Sequence, residues 1–180
     1  EYSTLRNNSG ATRISHNSCA TSSDDRFLAV AMDDGVHLWN LPADREVGLV
    51  PTGHAETVIF EPVGKALWTC GTGSGLQRWA IHSSGSNELE LSFAPPERIE
   101  LPFAPLRLAS DRAGQTLAGV SQSEGQVMVL DWAAKSTHLL PVHDPMADFI
   151  ALSADAKWLA TSGWRSDRVQ LWNLESGKLV

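Results

Sequence analysis

The chain has 180 residues, of which 42% are hydrophobic and 19% charged, and its formal net charge is −7. This is enough apolar material for one core of ordinary size, whereas the negative balance disfavours nucleic acid or an anionic membrane as a partner, because both require a basic footprint. No signal peptide is recognisable and no apolar run is long enough to cross a bilayer, so we expect no membrane insertion. Two isolated cysteines, Cys19 and Cys70, suit a reducing compartment, and we expect a cytoplasmic protein.

Residues 1–13 are polar and rich in Asn, Ser and Thr. We interpret them either as an outer strand that belongs to a preceding element or as a disordered arm, since terminal segments are often poorly ordered.

One pattern of turns and short apolar runs occurs four times in residues 14–180. In the first copy a polar turn at Ser23-Asp24-Asp25 precedes an apolar run, and a second turn leads into a run that ends at Trp39. The place of Trp39 is taken by Trp79, Leu130 and Trp172 in the later copies, at intervals of about 40 to 50 residues. Short apolar runs between Gly, Asp and Ser turns predict β-strands, and no long 3.6-residue apolar period indicates a helix.

The four copies extend over residues 14–50, 51–93, 94–140 and 141–180, approximately. Residues 94–102 contain three prolines and break the period, and we interpret them as an insertion on the surface, where added length is tolerated. The third copy is degenerate because Leu130 replaces the Trp.

These motifs resemble the WD-repeat β-propeller family. Leu38-Trp39-Asn40 and Leu171-Trp172-Asn173 stand where the family has Leu-Trp-Asp, and Gly53-His54 matches its Gly-His pair. The resemblance implies an all-β fold, a WD-repeat β-propeller with about four blades of four antiparallel strands. Such a unit is either a partial propeller or part of a larger ring of about seven or eight blades.

The resemblance also implies a buried, hydrogen-bonded tetrad in each blade, built from a His, a Ser or Thr, a Trp and an Asp. Its role is structural, because a buried carboxylate must be hydrogen-bonded. The positions that match are His16, Asp33 and Trp39 in the first copy, His54 and Trp79 in the second, and His143 and Trp172 in the fourth.

Propellers of this family present loops and channel rims to partner proteins or peptides. We therefore predict a non-enzymatic scaffold for protein–protein interaction. The later repeats are similar to propellers of bacterial serine/threonine kinases, which suggests a role in bacterial signalling. The equivalent turns between the second and third strands carry the predicted partner-binding residues Asp33, Asp34, Ser74, Glu124, Trp164 and Arg165.

Two other functions remain open. One is a propeller hydrolase with its site at the channel mouth, although no Ser/His/Asp or paired-carboxylate set has a diagnostic spacing. The other is a purely structural role as blades of a larger protein. Gly71-Thr72-Gly73-Ser74-Gly75 fits a hairpin turn better than a phosphate loop, because no Lys and no helix follow. His143, Asp144 and Asp148 lack a repeated metal-ligand spacing, so we predict no metal and no cofactor.

A blade buries both faces only against neighbours, so four blades of a larger ring have two exposed end faces. We expect the missing blades to come from the same longer polypeptide or from a second copy of the chain. Closure by four blades alone is the third possibility.

Overall fold

The computed structural model describes residues 16–62, 65–83, 91–121, 125–141, 147–164 and 166–180. This part of the chain forms 17 β-strands. They pair in four separate antiparallel sheets, three of four strands and one of five. The all-β prediction is confirmed, and the sheets are called blades 1 to 4. The prediction for residues 1–13 lies outside the described residues.

The strands follow the predicted copies closely. Blade 1 consists of β1 (His16–Thr21), β2 (Phe27–Met32), β3 (Val36–Asn40) and β4 (Arg45–Val50). Blade 2 consists of β5 (Thr57–Phe60), β6 (Ala66–Cys70), β7 (Leu76–Ser83), β8 (Leu91–Phe93) and β9 (Glu97–Ile99). Blade 3 consists of β10 (Arg107–Ser110), β11 (Thr116–Ser121), β12 (Gln126–Asp131) and β13 (Ser136–Pro141). Blade 4 consists of β14 (Ala147–Leu152), β15 (Trp158–Gly163), β16 (Val169–Asn173) and β17 (Lys178–Leu179).

The chain divides into two compact units, Glu1–Leu101 and Pro102–Val180. Unit 1 contains blades 1 and 2, and unit 2 contains blades 3 and 4.

In blades 1 and 4 the turn between the first two strands is closed by a serine and an aspartate. In blade 1 the Ser22 hydroxyl donates to Asp24 Oδ1 (2.6 Å) and accepts the amide of Phe27 (2.9 Å). In blade 4 Ser153 makes the same two bonds, to Asp155 (2.7 Å) and from the amide of Trp158 (2.9 Å). Short polar side chains that bond to the nearby backbone favour tight turns over continued strand.

The polar residue after the Trp position caps the turn that follows the third strand. Asn40 Oδ1 accepts the amide of Ala43 (3.0 Å), and Asn173 Oδ1 accepts that of Ser176 (2.8 Å). In blade 3 Asp131 accepts the amide of Ala134 (2.8 Å). This explains physically why three of the four copies have Asn or Asp there. Blade 2 has Ala80 at this position, and β7 continues to Ser83 without the turn.

Part of the predicted insertion belongs to blade 2. β9 pairs with the first half of β7, with Leu76 opposite Ile99, whereas β8 pairs with its last residues, with Ile81 opposite Phe93. The boundary that we expected near residue 94 therefore cuts through the sheet. The alternation of Glu97-Arg98-Ile99 was too short, and too close to prolines, to indicate a strand.

Each unit has its own core between its two blades. In unit 1 one face of blade 1, with Ala29, Ala31, Val36, Leu38 and Val50, packs on Val58, Phe60, Leu67 and Trp79 of blade 2. In unit 2 Ala118, Val120, Val127 and Val129 of blade 3 pack on Leu159, Trp172, Ile150 and Leu152 of blade 4. In both pairs the Trp-bearing face of the later blade meets the other face of the earlier blade. We call the Trp-bearing face of a blade its trailing face, and the opposite face of the same blade its leading face.

Candidate functional site

The turn between β2 and β3 presents two adjacent carboxylates. The Met32 amide donates to the Gly35 carbonyl (2.8 Å), which closes a tight hairpin around Asp33 and Asp34. Their side chains are 49% and 39% exposed. Gly35 has φ 150°, and a Cβ there would lie 2.4 Å from the Val50 carbonyl oxygen, so only glycine fits.

The loop from blade 1 to blade 2 lies beside this turn. The Ala55 amide donates to the Met32 carbonyl (3.0 Å), and the Glu56 amide donates to the Cys70 carbonyl (2.8 Å). The Asn17 side chain also donates to the Ala55 carbonyl (2.8 Å). These bonds to both blades hold the backbone that follows His54.

His54 lies between two carboxylates. Its Nδ1 is 3.0 Å from Asp33 Oδ1 and its Nε2 is 2.9 Å from Glu56 Oε1. The hydrogen bond to Glu56 raises the pKa of His54 most, burial opposes it, and the bond to Asp33 raises it further. The imidazolium can donate to both partners, so this geometry favours the charged ring.

A second histidine makes the same kind of contact on the other side of the turn. His37 Nε2 is 3.0 Å from Asp34 Oδ1, and its Nδ1 is 2.6 Å from Glu46 Oε1. The His37 side chain is 2% exposed and stacks on Trp39, with ring centroids 5.8 Å apart. We call Asp33, Asp34, His37, Glu46, His54 and Glu56 the acidic rim cluster.

The sequence singled out Asp33 and Asp34 as partner-binding residues and His54 as a tetrad residue, but it did not indicate His37, Glu46 or Glu56. The three missed residues lie in strand or strand-edge positions where alternation alone indicates packing. Two of them could have been found from their short spacing, because His37 lies close to Asp34 in the chain and Glu56 lies close to His54.

Ser74 lies on the equivalent turn of blade 2. Its hydroxyl donates to the Gly71 carbonyl (3.3 Å), and a Cβ on Gly71 would be 2.5 Å from the His54 carbonyl oxygen. The structure therefore brings the turn of Ser74 close to the backbone of His54, in one surface with Asp33.

Most of the remaining predicted residues belong to unit 2. Trp164 is 77% exposed, and its amide donates to Asp148 Oδ2 (3.2 Å). Trp172 is buried at 3% exposure. His16 begins β1, but its side chain, like Glu124, His143 and Arg165, lies outside the described residues.

The arrangement around His54 differs from the buried tetrad that the resemblance implies. His54 is 38% exposed and contacts Asp33 of the preceding blade. Blade 2 retains one tetrad bond, from Trp79 Nε1 to Thr69 Oγ1 (3.0 Å). Val30 occupies the register position of Thr69 in blade 1, and Trp39 Nε1 is buried without a hydrogen-bond partner among the described residues.

We expect Val30→Thr to stabilise unit 1 by about 1 kcal/mol, because the new hydroxyl can accept the buried Trp39 N–H. The measurement is urea denaturation of both proteins. The reciprocal change Thr69→Val removes the existing bond and should destabilise unit 1 by a similar amount or more. Equal urea midpoints for Val30→Thr and the parent would contradict the interpretation that the new hydroxyl accepts a hydrogen bond from the buried Trp39 N–H.

We also expect stability to depend on the protonation of His54. Because the pKa of His54 is raised in the folded state, its stabilising contribution is complete below its unfolded value of about 6.5 and is lost as the pH rises through the folded value. Unfolding free energies measured from pH 5.5 to 8.5 should fall more steeply for the parent than for His54→Gln. Leu139→Gln, at an exposed position that does not titrate, provides the control and should keep the parent's slope.

Two other kinds of feature, a membrane-spanning helix and a metal site, are absent from the described residues. Among them, no helix has the length and apolar character to cross a bilayer. No group of three or more His, Cys, Asp or Glu side chains in the same residues is arranged to hold a metal ion.

No family model matches the sequence, and no curated protein matches it. Solved structures match nearly all of the chain. The WD40 repeats of RRP9 have a TM-score of 0.76 and 17% identity, over 98% of this chain and 52% of that one. U3-55K has a TM-score of 0.76 and 17% identity, over 98% and 53%.

The hydrazine synthase of Kuenenia stuttgartiensis has a TM-score of 0.72 and 16% identity, over 96% of this chain and 51% of that one. The chain therefore spans about half the length of each matched structure. At this identity the similarity concerns the fold alone. The chain has the fold of four WD40-type β-propeller blades, as its repeats predicted.

Proposed function

We propose that this chain is a non-enzymatic protein-interaction module, and that the acidic rim cluster of unit 1 binds a partner with a basic segment. The observation that supports this is the fixed pair Asp33 and Asp34, exposed at the turn and each held by a histidine. The cluster contains four carboxylates and two imidazoles, so it remains negative even with both rings protonated.

Pre-organisation makes this surface suitable for recognition. Flexible surface carboxylates lose side-chain entropy when they bind, whereas Asp33 and Asp34 are already restrained by His54 and His37. A negative patch also accelerates encounter with a basic partner and excludes acidic ones.

The hydrogen bonding of the cluster supports recognition over catalysis. Both ring nitrogens of His54 and of His37 are engaged by carboxylates, and the Ser74 hydroxyl donates to the Gly71 carbonyl. A histidine acting as a general base needs an available nitrogen within reach of the proton that it removes.

The test uses fluorescein-labelled dodecapeptides that contain several Lys or Arg residues, with charge-reversed peptides as a comparison. We expect Asp33→Asn combined with Asp34→Asn to weaken binding of the basic peptides about tenfold, measured by fluorescence anisotropy at low salt. Glu175→Gln, which removes an exposed charge in blade 4, should leave binding unchanged. Equal affinity for basic and acidic peptides would overturn the proposal.

The cellular setting remains a prediction. Cys19 is exposed and Cys70 is buried, and neither forms a disulfide, which agrees with a reducing cytoplasm. A role in bacterial signalling rests only on the similarity of the later repeats to propellers of bacterial serine/threonine kinases, and none of the three structures compared above is named as a kinase.

A further inference from the structure

Blade 4 has an apolar leading face that is exposed. Because successive strand residues point to opposite sides, Phe149, Trp158, Val169 and Leu171 share one face of the sheet. They are 49%, 39%, 72% and 39% exposed, and Val180 at the edge is 75% exposed. We call these five residues the open face of blade 4.

The opposite, trailing face of the same blade is core. Leu159 and Trp172 are 0% and 3% exposed and pack against blade 3 together with Ile150 and Leu152. On the trailing face Leu179, opposite Trp172, is also 44% exposed, but the other exposed large apolar side chains of the strands of blade 4 lie on its leading face. Both sides of the sheet are apolar, and such exposure on one of them is unusual for a surface that faces water.

The register of blade 4 repeats that of blade 1. Ala160 lies opposite Leu171 and Ser162 opposite Val169, as Ala29 lies opposite Leu38 and Ala31 opposite Val36. Both first strands also have their register shift at the same place, between Ala147 and Phe149 and between His16 and Ser18. The open face of blade 4 is thus equivalent to the leading face of blade 1.

Blade 1 shows what covers such a face. Ala29, Val36 and Leu38 are 0% exposed because blade 2 packs on them. The blade 2 residues that do so are Val58, Phe60, Leu67 and Trp79, and their register equivalents in blade 4 are Ile150, Leu152, Leu159 and Trp172. The covering surface therefore consists in both units of a Trp and aliphatic residues, with Phe60 in place of one aliphatic residue in blade 2, and we call it the aliphatic and Trp set.

We propose that the open face of blade 4 is the docking surface for a further blade whose trailing face carries this aliphatic and Trp set, supplied by polypeptide outside these 180 residues. The matched structures support the occupant, since each contains about as much chain again as this one covers. Burial on this side would resemble the burial that already exists between blades 1 and 2.

A second copy of the chain fits this face poorly. A copy that docks as the next blade does would offer the trailing face of its own blade 1, where Cys19 and Thr21 stand at the register positions of Val58 and Phe60. Cys19 and Thr21 are less apolar than those residues. Trp39 and His37 on that face are already 3% and 2% exposed, so they offer little area to a partner.

The test is an extended protein in which residues 51–101 are repeated after Val180. The added copy of blade 2 should dock on blade 4 as blade 2 docks on blade 1. We expect binding of the dye ANS to fall by about half or more, because the exposed apolar patch is covered, and the unfolding temperature of unit 2 to rise by several degrees. The matched control carries Leu67→Asp and Trp79→Asp in the added copy alone and should behave as the parent.

A second measurement does not depend on folding of the added segment. In the 180-residue chain, Val169→Lys combined with Leu171→Lys should lower ANS binding strongly, whereas Leu49→Lys, at an exposed leucine of blade 1, should not. Equal effects of the two variants would overturn the proposal. So would a stable dimer of the parent that Leu171→Lys dissociates, because the occupant would then be a second copy.

Discussion

Trp79→Ala is expected to lower the free energy of unfolding of unit 1 by about 3–5 kcal/mol, the range observed when a large aromatic side chain is removed from a core. Trp79 is 6% exposed and lies in the core that joins blades 1 and 2. Its removal leaves a cavity between Val58, Phe60 and Leu67, and it leaves the Thr69 hydroxyl without the indole donor. Urea denaturation followed by far-UV circular dichroism measures the change.

Two variants separate packing from hydrogen bonding. Trp79→Phe keeps most of the buried ring but removes the N–H, so it should cost clearly less than alanine. Trp164→Ala removes an indole that is 77% exposed and should change stability by no more than about 0.5 kcal/mol. If Trp79→Ala costs no more than Trp164→Ala, the two blades are not held together by this core.

The repeat pattern could be recognised in the sequence because it depends on hydrogen bonds between residues that are close in the chain. Asn40 and Asn173 cap turns through their own side chains, and Ser22 and Ser153 close hairpins with an aspartate two residues on. Such contacts involve residues close in sequence, so they leave a signal in each copy that makes them. The prediction of strands and of an all-β fold followed from them.

The acidic rim cluster was only partly readable because its contacts cross between blades. Asp33 and His54 are 21 residues apart and belong to different copies of the repeat. Nothing in the sequence indicates that His54 contacts Asp33 and not a residue of its own blade. His37 was hidden for another reason. It occupies a buried strand position whose equivalents in blades 2 and 4 are Gln77 and Gln170, and only the structure shows that carboxylates meet both of its nitrogens.

Gly35→Ala should have the second large effect, a loss of about 2–4 kcal/mol together with a displaced acidic rim cluster. A methyl group there meets the Val50 carbonyl oxygen at 2.4 Å, and this oxygen also accepts the Thr52 amide (2.8 Å). Relief requires backbone movement, and overpacking of this kind adds about 1–3 kcal/mol to the cost of the unfavourable φ. Denaturation gives the loss of stability, and the imidazole NMR signals of His54 report the displacement.

Gly177→Ala is the matched control for backbone conformation. Gly177 has φ +66°, but nothing lies within 4 Å of a Cβ built there, so alanine meets only the conformational cost of about 1 kcal/mol. The difference between the two variants therefore measures the clash itself. Since Val50 ends β4 and Thr52 begins the loop to His54, the same clash should weaken binding of basic peptides to the rim, whereas Gly177→Ala should not. Equal losses of stability in both variants would mean that the close approach of Gly35 to Val50 does not position the cluster.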